Sequence, residues 1–219
     1  MKKRDTLIFW LGGVFIPRVD ECVLRFLDTT DRLQYVFYRR ELRALYRELS
    51  LGKLSPRKFC DKCITLLSLD MAPARLESEI LAAMVPDQNI CRLFRKIRPE
   101  YLLWMICDLP EKWFMAVYEH SDLMNLFPWH HCLPISSMGV FRIMPDVLNH
   151  MVSAANSSVE RTVFIDSDSA NAVQATRMGI PSLIYAYPGH LEHALKLQKI
   201  IPPENEVLHP TTSERVISP

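Results

Sequence analysis

The sequence predicts a doubly wound parallel α/β core, interrupted after its first strand by an all-helical insertion. Three observations point there. Four short apolar runs have the length and character of strands buried on both faces. The later runs alternate with helical stretches, which is the pattern of parallel βαβ units. Between the first run and the second, from about residue 20 to 84, the sequence keeps helical periodicity and carries no strand signal.

Thr6 to Ile16 (TLIFWLGGVFI) is almost unbroken apolar sequence, read as a strand over Leu7–Leu11 that runs into a tight turn at Gly12-Gly13. Leu33 and Val36, then Leu42, Leu45 and Leu49, are spaced three or four residues apart among charges. Gly52 closes one helix, and Ser55-Pro56 opens the next with an N-cap residue and a first-turn proline. Tyr101–Cys107 (YLLWMIC) is the second strand, followed by a helix opening at Asp108-Leu109-Pro110-Glu111. Met144–Ala155 is helical, and Thr162–Ile165 (TVFI) is a third strand ending at Asp166. A helix over Asn171–Met178 closes at Gly179, and Pro181–Tyr187 (PSLIYAY) is the fourth strand. The last helix covers Leu191–Ile200, before a Pro-rich stretch from Pro202. The expected division is a core from residues 1–17 and 97–205, an insertion over 18–96, and a loose tail over 206–219.

Composition excludes several classes of partner. The chain has 219 residues, 49% apolar, with 26 Lys plus Arg against 25 Asp plus Glu, a formal charge of +1. That balance supplies no field for nucleic acid or an anionic membrane surface. No apolar run approaches the length of a membrane span. The basic start, Met1-Lys2-Lys3-Arg4, precedes an apolar run that Gly12-Gly13 breaks and that lacks a small-residue cleavage site, so no secretory leader is expected. Six irregularly spaced cysteines in a chain of this size are expected to be free thiols, consistent with a cytoplasmic protein.

In doubly wound sheets, ligands bind beyond the carboxyl ends of the strands. That rule selects Gly12-Gly13 after the first strand, Cys107-Asp108 after the second and Asp166-Ser167-Asp168 after the third. These loops should converge on one crevice, with the helical insertion lying over it.

Four stretches in order resemble the motifs of the haloacid dehalogenase (HAD) superfamily, in the branch with a helical cap after the first strand. The first is Leu7-Ile8-Phe9-Trp10-Leu11-Gly12-Gly13-Val14 and the second Trp104-Met105-Ile106-Cys107-Asp108. The third is Ser136-Ser137-Met138-Gly139-Val140-Phe141-Arg142, and the fourth Val163-Phe164-Ile165-Asp166-Ser167-Asp168 with Gly179-Ile180. The resemblance implies a Rossmann-like core with a cap, and a reaction in which a first-motif aspartate attacks phosphorus beside Mg²⁺. Here that position is Trp10, whose indole has no lone pair to attack with. The position two residues on, often a second aspartate, is Gly12. The family's hydroxyl is replaced by Cys107, and its Lys by Arg142, which keeps the charge in a different shape. Asp166 stands where the family has a metal ligand, with Asp168 as a second carboxylate. A Mg²⁺ site is therefore expected to be weakened.

The motif positions Trp10, Gly12, Cys107, Arg142 and Asp166 thus describe a degenerate site. The crevice, lined by Trp10, Cys107, Asp108, Arg142, Asp166 and Asp168, is expected to take a small-molecule ligand or a protein partner. One alternative is a divergent phosphoester or haloacid hydrolase using Asp166 or Asp168 with Arg142; another is non-hydrolytic chemistry with Trp10 shaping an apolar pocket. Capping of the following helix competes with ligand contact at Asp166, and Asp168 or Ser167 suits the cap better. Cys60-Asp61-Lys62-Cys63 lacks a second pair at zinc spacing, and Trp129-His130-His131-Cys132 would alternate its faces in a strand, so neither is expected to hold metal. Phe26-Leu27-Asp28-Thr29-Thr30 resembles part of a terpene-cyclase acid motif, but reads better as a helix-junction cap. The outer face of the insertion could support a homodimer, although no pattern requires one.

Overall fold

The computed structural model describes residues 5–97, 99–140 and 145–202. Strand β1 (Asp5–Trp10) is followed by the helices α1 (Val19–Leu24), α2 (Arg32–Ser50), α3 (Pro56–Leu67), α4 (Pro73–Ala83) and α5 (Gln88–Phe94). Next come β2 (Tyr101–Cys107), α6 (Glu111–Glu119), α7 (Leu123–Leu126), β3 (Cys132–Pro134) and α8 (Pro145–Ala154). The chain ends its described part with β4 (Thr162–Asp166), α9 (Ser169–Arg177), β5 (Ser182–Ile184) and α10 (Pro188–Leu197).

The five strands are parallel in the order β3-β2-β1-β4-β5. Chain direction across the sheet reverses at β1, whose Ile8 is level with Trp104 on β2 and Phe164 on β4. Residues of a strand alternate between faces, so β1 feeds two separate cores. Leu7 and Phe9 join one cluster with the helices inserted before β2 and with α6, while Ile8 and Trp10 join the other with α8 and α9. Helices thus cover both faces, which explains why the strands read as apolar runs without alternation.

The helical ends follow from local chemistry. Asp31 caps α2 by accepting from the Leu33 amide at 2.8 Å, and Ser55 caps α3 by accepting from the Lys58 amide at 3.3 Å. Gly52, at φ 69°, takes the left-handed turn after α2. Helix α5 returns to the sheet. Its Phe94 ring lies 4.2 Å from Phe9 and 4.4 Å from Phe15, and Phe127 completes the cluster. The Asp87 amide also donates to the Phe15 carbonyl at 2.7 Å.

The structure adds one element to the sequence reading and corrects two boundaries. The sheet has a fifth strand, β3, three residues long and framed by Pro134 and short 3₁₀ turns, so it leaves no apolar run to find. The last strand stops at Ile184; the Tyr185 amide makes one more bond, to the Asp166 carbonyl at 2.7 Å, before the chain turns away. Helix α10 consequently begins at Pro188, a residue suited to the first turn, rather than at Leu191. No helix among the described residues is long and apolar enough to cross a membrane.

Because Phe94 joins the insertion to the sheet, Phe94→Ala should remove roughly 3–5 kcal/mol of stability. Urea unfolding would show this as a lower midpoint; an unchanged midpoint would mean that α5 does not anchor the insertion.

Candidate functional site

The carboxyl ends of β1, β2 and β4 meet α2 around a crevice of about 220 Å³. Trp10 closes β1. Its indole is almost wholly buried, packed into the cluster that holds Ile8 and Ile106, and its remaining edge forms one wall of the crevice. Gly12 lies on the same wall. Beside it Gly13 has φ 84°, and a side chain there would collide with the Ser167 hydroxyl. The loops after β1 and β4 therefore approach more closely than any residue larger than glycine permits.

Asp108 follows β2 and accepts a hydrogen bond from the Tyr46 phenol of α2. Burial pushes its carboxyl up to about 6, an effect that the Tyr46 bond and the Arg18 charge partly offset. Asp166 closes β4 and is 1% exposed. One of its oxygens accepts from the Asp168 amide at 3.0 Å and the other from Asn171 Nδ2 at 2.7 Å. Burial dominates here as well and raises its carboxyl to about 7, with the nearby Asp168 and Asp108 adding to the rise. Asp168 lines the crevice and also caps α9, accepting from the Ala170 amide at 2.9 Å.

The structure brings Trp10, Gly12, Asp108, Asp166 and Asp168 together, as the strand-end rule requires. Cys107 lies elsewhere. Its side chain is fully buried in the opposite cluster, where its sulfur accepts from the Leu109 amide at 3.3 Å. Burial pushes its thiol well above the ordinary value, so it presents no thiolate to the crevice. Arg142 falls outside the described residues.

The other motifs singled out in the sequence take structural places. Cys60 and Cys63 are buried on α3. Trp129 stacks on Phe114, and His131 stacks on Trp104. Asp28 is exposed between α1 and α2, where Thr29 accepts from the Asp31 amide and Asp31, not Asp28, provides the cap.

Sequence reasoning missed the basic wall. Arg18, Arg43 and Arg47 line the crevice, and Arg39 lines an adjoining depression with Ser167 and Asp168. The signal was present: Arg39, Arg43 and Arg47 recur every four residues and form one column along α2. Asp20, 2% exposed at the start of α1, anchors this wall. Arg43 Nε lies 3.1 Å from its carboxylate, Arg18 Nε 3.4 Å and Arg39 Nε 3.8 Å. One carboxylate thus faces three guanidinium groups with five N–H donors each.

The donor set does not fit a Mg²⁺ centre of the kind the motif resemblance implies. Magnesium draws on oxygen ligands held in octahedral geometry. The Trp10 side chain offers no oxygen, both Asp166 carboxylate oxygens are engaged within the protein, and Arg18 stands in the field of Asp20, Asp168 and Asp108. Among the described residues, no three His, Cys, Asp or Glu side chains converge as metal ligands.

Comparison with solved structures agrees with this architecture. A HAD family enzyme from Bacteroides thetaiotaomicron superposes with a TM-score of 0.63 at 17% identity, over 84% of this chain and 95% of that one. A predicted HAD-like family hydrolase from Porphyromonas gingivalis gives 0.59 at 18% identity, over 84% and 91%. L-2-haloacid dehalogenase from Xanthobacter autotrophicus, with chloropropionic acid covalently bound, gives 0.62 at 13% identity, over 91% and 85%. The chain has the haloacid dehalogenase-like fold. No protein-family model and no curated sequence matches it.

The two raised carboxyls set a pH dependence. The folded chain retains protons that the unfolded chain, with aspartates near 3.9, releases. Stability should therefore fall as pH rises from about 4 to about 7. Asp166→Asn cannot ionise and should flatten that decline by an amount on the order of 1–3 kcal/mol, read from urea midpoints at pH 5 and pH 8. Parallel profiles for the two proteins would show that Asp166 ionises as easily folded as unfolded.

Proposed function

We propose that this haloacid dehalogenase-fold protein binds a small anionic ligand in the crevice between the strand ends and α2, without forming an aspartyl intermediate. The supporting observation is the imbalance of donors on the basic wall. Asp20 accepts one hydrogen bond, from Arg43 Nε, and ion-pairs with Arg18 and Arg39, and Arg47 lines the crevice beside them. The acids opposite are satisfied internally: Asp166 by Asn171 and the Asp168 amide, Asp168 by the α9 amide, Asp108 by Tyr46. Arg39 Nε and the Ser167 hydroxyl are buried without a hydrogen-bond partner among the described residues. Buried polar atoms of this kind are normally satisfied by a ligand or water. Fork-shaped guanidinium groups suit carboxylate or phosphate oxygens.

Trp10 supports the second half of the reading. In the family's pattern its position belongs to the attacking aspartate, and an indole cannot form the acyl phosphate. Small acids are bound in two proteins of this fold, which suits this reading. The Bacteroides enzyme is solved in complex with magnesium and inorganic phosphate, and the Xanthobacter dehalogenase with chloropropionic acid. A crevice of about 220 Å³ is of the right scale for such small acids.

A second reading rests on Asp166, whose carboxyl near 7 is poised for proton transfer in a divergent hydrolase. One set of measurements separates the two. Inorganic phosphate or 2-chloropropionate should raise the melting temperature of the unaltered protein, and Arg47→Ala should weaken that binding by roughly tenfold. Hydrolysis of p-nitrophenyl phosphate in Mg²⁺ should stay at background. Turnover by the unaltered protein that disappears in Asp166→Asn would replace the binding reading with the hydrolase.

A further inference from the structure

The crevice is one of two spaces along the basic wall. The adjoining depression, of about 490 Å³, holds Arg39 and Ser167. Arg18, Arg43 and Asp168 line both, so the two spaces meet along a shared border. The arginines of α2 follow the same path. Arg39 faces only the depression, Arg43 both spaces and Arg47 only the crevice. At about 1.5 Å per residue, the column from Arg39 to Arg47 covers about 12 Å of the helix axis.

The two ends of this column lack different things. In the middle, Arg43 Nε donates to Asp20 at 3.1 Å. Arg47 has no side-chain hydrogen bond or ion pair among the described residues, so its charge has no direct counterpart. Arg39 Nε lies 3.8 Å from Asp20, close enough to pair charges but too far for a hydrogen bond. That Nε is buried without a hydrogen-bond partner, and so is the Ser167 hydroxyl in the same depression. The crevice end is therefore short of a negative charge, and the depression is short of an oxygen acceptor. The neighbouring carboxylates do not supply it: Glu21 accepts from the Arg18 amide at 3.1 Å, and Asp168 caps α9. Together with Asp20, their charges also oppose a second anionic group at that end.

We infer that the ligand of this site is an elongated acid with one charged end and one uncharged oxygen end. Its acid group pairs with Arg47 in the crevice. A hydroxyl or carbonyl reaches across the border formed by Arg18 and Arg43 to Arg39 Nε and the Ser167 hydroxyl. One ligand oxygen can accept from both, because a guanidinium donates and a serine hydroxyl can donate. A lone phosphate or a short acid occupies the crevice alone and leaves both buried atoms unmet. The inference rests on the anion-binding reading above, to which it adds the length and the distal group of the ligand.

The test is calorimetric titration with unbranched ω-hydroxy acids of about four to eight carbons, each beside the plain alkanoate of equal length. At the length that spans both spaces, the hydroxy acid should bind roughly tenfold more tightly than its alkanoate. The dicarboxylate of that length should bind no better than the hydroxy acid. Ser167→Ala and Arg39→Ala should each bring the ratio of hydroxy acid to alkanoate affinity close to one. Arg47→Ala should weaken both acids by a similar factor and keep the ratio. Ser167→Ala deletes only an unpartnered hydroxyl, so a ratio lost in that variant does not come from unfolding. Equal affinities at every length, the result expected when water fills the depression, overturn this inference and leave the anion-binding reading standing. So does a ratio that survives both Ser167→Ala and Arg39→Ala, or a dicarboxylate that outbinds the hydroxy acid. Failure of every acid to bind, alkanoates included, overturns both.

Discussion

Everything in this molecule depends on β1 being hydrogen-bonded on both edges and buried on both faces. With β2 on one side and β4 on the other, its main chain has no exposed edge, and its side chains alternate between two cores. That placement aligns the carboxyl ends of three strands and delivers the loops after them to one point. Gly13 makes the convergence tight, because nothing larger fits against Ser167. The crevice is thus a consequence of sheet order rather than of any loop's own preference.

The convergence has an electrostatic cost that the site distributes with care. Two carboxyls, Asp108 and Asp166, are carried into low dielectric by the strands they follow. Among the described residues, neither has a guanidinium or ammonium as a direct hydrogen-bond partner. Neutral donors hold them: an amide, an asparagine and a phenol. Their protons consequently stay on to higher pH, the usual response of a buried acid whose desolvation outweighs its neighbours' support. The arginines instead gather on Asp20, on the helical side of the crevice. The result is a site divided into an internally satisfied acidic floor and a donor-rich wall, and an incoming anion would find its hydrogen bonds on that wall.

Legibility from sequence followed how local each signal was. The long strands were visible because double-sided burial removes polar residues from them. The start of α3 and the end of α2 were visible because Ser55, Pro56 and Gly52 act through their own backbone. Strand β3 was not, since its three residues gain their extended form from pairing with Met105, Ile106 and Cys107 across the sheet. In the site, Trp10, Asp108 and Asp166 were legible as strand-end residues. Cys107 misled because one step along a strand turns a side chain from one face to the other. Arg18 and Tyr46 were not legible at all, as only the packing of α1 and α2 over the sheet brings them to Asp108 and Asp168. The arginine column at 39, 43 and 47 was written in the periodicity, but charges at helical spacing are equally the pattern of a solvated helix face.

Helix α2 presents three distinct faces. Leu42, Tyr46 and Leu49 fix it to the body of the protein, Arg39, Arg43 and Arg47 look toward the strand ends, and Leu33, Val36 and Phe37 face solvent. A helix makes such a division possible because side chains four apart stay aligned while neighbours diverge. Residues on separate faces that share no partner contribute nearly additively, so contacts in the crevice and packing against the core can vary independently. Tyr46 is the exception. It is anchored in the core and also donates to Asp108, so the packing of α2 and the floor of the crevice meet at that one phenol. Any coupling between the helical insertion and the strand ends has its shortest physical route there.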